Sequence, residues 1–322
     1  MFQRPTIFTT LLSAVLAAGS PTLSAQQVEP IKFGDFEQWV TRHITESVVI
    51  GGHQKTLYEV GPTAIIDENI PYHNLGGSPW ATSNVYAKVS GVTKASNAVY
   101  PHTRRPGNKC VKLCTQMDNI KVLGLINMNV MVAGSMFLGE MVEPISNTKN
   151  PYGKMEMGIP YTKRPKSLVL DYKVDMPMTD TRVKSTGFGS KKVLPGRDQA
   201  VVFVLLQRRW EDAEGNIHAK RVGTGGQLFT QGSPWRNAQH IPITYGNVSA
   251  DPKLNWLPLR TGDNAYYARN SKGKLVKVEE EGWDSADATP THAIVMLSAG
   301  NGEPYVGTEG LTLYVDNVGF GF

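Results

Sequence analysis

Apolar residues in this chain recur at every second position, and no long stretch carries a helical period. The run Ser167-Leu-Val-Leu-Asp-Tyr-Lys-Val-Asp175 is the cleanest case. Leu168, Leu170, Tyr172 and Val174 share one face. Ser167, Asp171, Lys173 and Asp175 share the other, with Val169 the apolar exception. Such alternation marks a strand with one face in a core and one in water. Ala200-Val-Val-Phe-Val-Leu-Leu206 is apolar on both faces and is predicted to be a central strand. Gln207–Trp210 continues it into the polar turn Glu211–Asn216, and Ile217–Val222 returns as the second arm of a hairpin. Further strands are predicted at Val85–Val89, Lys109–Thr115, Val122–Val132, Gly134–Met141, His240–Tyr245, His292–Ser298 and Leu311–Phe320. Helix is predicted only over Asp35–Thr45, with a short turn near Ser285–Ala288. Gly/Pro/Asn-rich connections such as Asn147–Gly158 and Ser298–Gly310 join the strands. About ten strands without alternating helices predict an all-β protein, an antiparallel jelly-roll β-sandwich. No linker rich in Pro, Ser or charge divides the chain, so residues 26–322 are expected to form a single domain.

The N-terminus is a separate segment. Arg4 precedes an apolar run from Ile7 to Ala18, and the small residues Leu23-Ser24-Ala25 precede Gln26. This three-part pattern predicts a secretory signal peptide over residues 1–25, cleaved near Ala25. The apolar run is shorter than the roughly 20 residues a membrane span needs, and no later stretch qualifies. The expected destination is periplasmic or extracellular, as a monomer. The formal charge of +5 is mildly basic and diffuse, which argues against a nucleic-acid partner.

Several chemistries are excluded at the level of motif. No Gly-x-Ser-x-Gly elbow, His-Glu-x-x-His pair, phosphate loop or dinucleotide fingerprint is present, so no organic cofactor is expected. The seven histidines are scattered. Cys110 and Cys114 lie four apart on a predicted strand, roughly 13 Å, beyond disulfide reach. They are expected as free thiols on one face.

Two features invite a functional reading. The tetrapeptide Gly-Ser-Pro-Trp occurs at Gly77–Trp80 and again at Gly232–Trp235. Each is either a turn feeding a core Trp or a rim Trp offering a flat face. In the terminal segment Leu311–Phe322, alternation places Asp316 with Tyr314, Val318 and Phe320. A carboxylate on an apolar face needs a partner, which is either a Ca²⁺ ion or hydrogen bonds from amides or a neighbouring Arg.

Asp35-Phe-Glu-Gln-Trp39, Gly77-Ser-Pro-Trp-Ala-Thr-Ser-Asn84, Gly158-Ile-Pro-Tyr-Thr-Lys-Arg-Pro165 and Tyr314-Val-Asp-Asn-Val318 occur in that order. Together they resemble the putative carbohydrate metabolism domain family, whose exported members are similar in architecture to jelly-roll carbohydrate-binding modules. The resemblance spans about residue 33 to 322. It implies an exported protein that handles a polysaccharide or oligosaccharide, most directly by non-catalytic binding. In similar modules a Phe-Glu near the first strand and an Asp in the last strand hold a structural Ca²⁺. Glu37 and Asp316 are the matching positions. A sugar site needs flat apolar faces and a few polar groups to orient hydroxyls. Trp80, Trp235, Trp256 and Tyr161 are the candidate faces; Asn84, Arg164 and Arg236 are the candidate polar contacts. The alternatives are a glycan-cleaving enzyme (a glycoside hydrolase or polysaccharide lyase) or a non-binding envelope scaffold. A hydrolase needs two carboxyl groups about 5–5.5 Å or 6.5–9.5 Å apart, for which Glu140, Glu143, Asp171 and Asp175 are the candidates.

Overall fold

A computed structural model describes Met1 and residues 27–322, apart from 90, 123–125, 147–148 and 188. The expected leader after Met1, with its cleavage site, lies outside the described residues. Those residues are all-β, with only 3-10 turns such as Val48–Ile50 and Gly262–Asn264 between strands.

Ten strands carry the architecture: β1 (Val99–Arg105), β2 (Asn108–Val122), β3 (Ile126–Ala133), β4 (Ser135–Met141), β5 (Ser167–Asp175), β6 (Ala200–Glu211), β7 (Ile217–Phe229), β8 (Ser233–Pro242), β9 (His292–Ser298) and β10 (Thr312–Gly321). One sheet runs β3–β2–β10–β5–β8, with β1 also on β2. A second sheet runs β9–β6–β7 and on through Leu275–Trp283, Tyr266–Arg269 and Met155–Met157 to β4. β4 then pairs back onto β9, Phe137 opposite Met296, so these seven strands close a ring.

The alternation dictates how the two sheets meet. Leu168, Leu170, Tyr172 and Val174 of β5 face Val202, Val204 and Leu206 of β6 in one core, with Leu313 and Val315 of β10. β6 is apolar on both faces because its other face, with Val201, Phe203 and Leu205, fills the ring together with Phe137, Ile294 and Met296. The chain changes sheets at Gly134. A Cβ there would lie 2.3 Å from the Ala98 carbonyl oxygen and 2.4 Å from the Cys114 nitrogen, so only glycine passes.

Three expectations need correction. Asp35–Thr45 is not helical: Trp39–Thr45 is a strand paired along its whole length with Gln54–Val60. Its β-branched Val40, Thr41, Ile44 and Thr45 favour the pleat. Val122–Val132 is not one strand: Val122 ends β2, and Ile126–Val132 belongs to β3, which pairs antiparallel to it. The pairing is not wholly antiparallel, because β7 runs parallel to Leu275–Trp283 and Trp39–Thr45 parallel to Ala64–Ile66. The Ser285–Ala288 turn is present, closed by the Ala288 N–H on the Ser285 carbonyl. Cys110 and Cys114 are free thiols on β2, and burial pushes Cys110 up to about 12.

Candidate functional site

The outer face of the first sheet gathers aromatic and charged side chains that lie far apart in sequence. Tyr100 of β1 stands opposite Lys112 of β2, Lys112 opposite Tyr314 of β10, and Tyr314 opposite Lys173 of β5. This row of four neighbours spans about 14 Å at the usual strand spacing. The Lys173 ammonium lies 4.8 Å from the Tyr314 ring centroid and the Lys112 ammonium 6.0 Å from that of Tyr100. His102 packs on Tyr314 at 4.9 Å. Burial first, then Lys112 and Lys173, lower its pKa.

β-Bulges set the far end of the row. Between Asp171 and Val169, β10 spends an extra residue, and Asn317 takes a positive φ of 53° there. Asn tolerates this left-handed conformation better than most residues. The bulge corrects the expected grouping of Asp316 with Val318 and Phe320. Asp316 stays on the outer face with Tyr314, while Val318 and Phe320 turn into the core. β8 bulges twice against β5, once on either side of Tyr172. The first bulge carries Trp235. The second puts Ala238 at φ 48°, a strained value for alanine. Its N–H donates to Asp171 Oδ1 at 2.6 Å, which offsets that strain.

Arg104 joins these pieces. Its Nη1 donates to Asp171 Oδ2 and Asp316 Oδ2, each at 2.7 Å, and its Nη2 to Asn237 Oδ1. Its guanidinium carbon lies 4.1 Å from the Trp235 ring centroid, and Tyr314 flanks that ring at 6.4 Å. The carboxylates differ in electrostatics. Hydrogen bonds from Ala238, Arg104 and Asn317 hold Asp171 low against its burial, whereas desolvation raises Asp316 despite Arg104. Trp235 keeps part of its ring in solvent, and Arg236 and Asn237 are exposed.

Of the seven expected ligand-binding residues, only Trp235 lies on this face; Arg236, though exposed, stands opposite Tyr172, whose side chain faces the core. Trp80 does not lie on this face either: it is 0% exposed, edge-on to Phe36 at 5.6 Å, with Nε1 donating to the Lys32 carbonyl. A buried ring offers no face to a sugar. Asn84, 1% exposed, is also structural; it donates to the Tyr58 and Val99 carbonyls and accepts from the Ala98 and Val99 N–H groups. Tyr161 stacks on Phe320, and Arg164 lies over Tyr245 while donating to the Ala286 and Ala288 carbonyls. Trp256 packs on Phe203 at the ring filling. Glu140 pairs with His73, and Glu143 is buried against Arg42.

The donor sets of Glu37 and Asp316 do not fit a shared Ca²⁺. Glu37 accepts from the Asn108 amide group and the Lys109 N–H. Asp316 accepts from Arg104 and the Asn317 N–H. A dication beside the same carboxylate would meet the guanidinium charge at close range. No group of three or more His, Cys, Asp or Glu placed to hold a metal ion occurs among the described residues.

Comparison with known proteins adds a family. Residues 52–228 match the family described as "Putative carbohydrate metabolism domain", a span that includes Arg104, Lys112, Asp171 and Lys173. The chain is similar to a "putative glycoside hydrolase" crystal structure from Bacteroides thetaiotaomicron VPI-5482, with 14% identity and a TM-score of 0.44 over 84% of this chain and 75% of that one. It is also similar to a "putative glycoside hydrolase" from Bacteroides vulgatus ATCC 8482, with 12% identity and a TM-score of 0.42 over 91% and 94%. No curated protein matches it.

Proposed function

This chain belongs to the Putative carbohydrate metabolism domain family, and from that premise we propose that it binds an oligosaccharide, without cleaving it, on the outer face of the first sheet. The observation that supports this reading is Trp235 held by Arg104 at the end of the Tyr100–Lys112–Tyr314–Lys173 row. A sugar site asks for this combination: a braced aromatic plane with cations and amides around it to take hydroxyl oxygens. The carboxylates beneath are occupied. Asp171 accepts from Arg104, Ala238 and Asn317, and the Asp316 side chain is 0% exposed. Groups so engaged brace a site rather than attack a bond.

We further propose that the leader exports the chain to the periplasm or cell exterior. There, residues 26–322 act as one monomeric, jelly-roll-type module elaborated by the closed ring. No helix among the described residues is long and apolar enough to cross a membrane.

One observation favours a second reading, cleavage. Asp171 and Asp316 share one guanidinium nitrogen, so their Oδ2 atoms lie no more than twice 2.7 Å apart, a bound that falls within the roughly 5–5.5 Å of a retaining pair. Their pKa values move in opposite directions, as an acid and nucleophile require. A glycan array followed by chain-length analysis of each bound polysaccharide separates the readings. Binding with unchanged chain length supports the module. New reducing ends, lost in Asp171→Asn, establish cleavage. Binding to no glycan removes both.

A further inference from the structure

The ring closed by β4 and β9 holds a second chemistry, independent of the sugar face. Its lower part is a satisfied polar network: Glu280 accepts from Arg221, from Gln207 Nε2 at 2.6 Å and from the Arg260 N–H at 2.6 Å. Above that network lies a cavity of about 310 Å³ that extends under β3. Met131, Met141, Met155, Met296, Phe203 and Tyr266 make most of its wall apolar. Its volume falls within the roughly 300–1,000 Å³ of ligand sites, which recur in barrel mouths. Methionine walls adapt to flexible apolar chains.

The charges on the wall are not equivalent. Lys94 is paired with Glu46 at 3.0 Å and Glu303 with Lys184 at 3.3 Å. Asp118 accepts from the Ser96 hydroxyl and from Gln116. The Arg260 guanidinium pairs with no carboxylate among the described residues. It lies 4.9 Å from the Tyr266 centroid and 5.8 Å from that of Phe203, and its buried Nε has no hydrogen-bond acceptor. A cation turned into an apolar cavity without an anion is costly. A ligand that brings the anion removes that cost and makes charge-assisted hydrogen bonds.

We propose that this cavity binds a free single-chain anionic amphiphile, its apolar chain along the methionine wall and its carboxylate on Arg260. Decanoate, decanol and decyltrimethylammonium, each titrated below micelle formation into the full chain by calorimetry, test it. Decanoate should bind one to one, at least tenfold more tightly than decanol, with the cation weakest. Arg260→Gln should reduce decanoate to the affinity of decanol, and Arg260→Lys should keep it within a few-fold of wild type. Equal affinities for the three ligands in wild type would overturn the proposal, whatever the variants do. So would absence of decanoate binding, binding that Arg260→Gln leaves unchanged, or adsorption to anionic phospholipid vesicles without binding of free decanoate.

Discussion

The guanidinium of Arg104 covers the indole of Trp235 at 4.1 Å while one of its nitrogens holds both Asp171 and Asp316. One cation thus braces an aromatic plane, hydrogen-bonds two carboxylates and ties β1 to three other strands. Removing it leaves the fully buried Asp316 unpaired. Arg104→Met is therefore expected to cost roughly 3–5 kcal/mol, the usual result of deleting one partner of a buried ion pair. Urea unfolding checks this, and a loss below 1 kcal/mol would show that the cluster does not hold the sheet.

The two identical tetrapeptides are expected to behave oppositely. Trp80→Ala empties a fully buried site and should cost about 3–5 kcal/mol. Trp235→Ala removes a partly exposed ring on a bulge and should leave stability within about 1 kcal/mol. Thermal melts of the two variants side by side decide; equal losses would place both rings in the core.

Glu59 should make stability depend on pH. Glu59 and Glu143 share Arg42, at 3.0 and 2.6 Å. Burial first, with Glu143 adding to it against Arg42, pushes Glu59 from 4.5 up to about 8. Between those values the folded state keeps a proton that the unfolded chain has released. Stability should therefore fall as pH rises from about 4.5 to about 8, then level. Glu59→Gln should flatten this decline in urea midpoints measured from pH 5 to 9. An unchanged slope would assign the dependence to another group.

Calcium is expected to have no effect on melting, because Arg104 and backbone N–H groups already serve Asp316 and Glu37. Equal melting temperatures in Ca²⁺ and in chelator meet the expectation. A rise with Ca²⁺, lost in Asp316→Ala, would restore the shared site.

Much of the sheet content was legible because period-two runs report faces directly. Ser167–Asp175 and His292–Ser298 appear with the boundaries their alternation marks. The site was less legible, since it depends on register. Tyr100, Lys112, Tyr314 and Lys173 meet only because four strands from distant parts of the chain pair in one order. Arg104 reaches Asp316 across 212 positions, and no local signal carries that. The bulge at Asn317 reverses which residues share a face, so simple alternation put Asp316 with the wrong neighbours. Gly-Ser-Pro-Trp shows the same limit: one local sequence ends in the core at Trp80 and on the surface at Trp235.

The most direct measurement is calorimetric titration of an array-selected oligosaccharide into wild type and Trp235→Ala. Binding on the Arg104–Trp235 face requires about 30-fold weaker affinity in the variant, the effect of losing roughly 2 kcal/mol at a central aromatic contact, with an unchanged melting temperature and an unshortened ligand. Equal affinity in the two proteins would contradict a sugar site on this face.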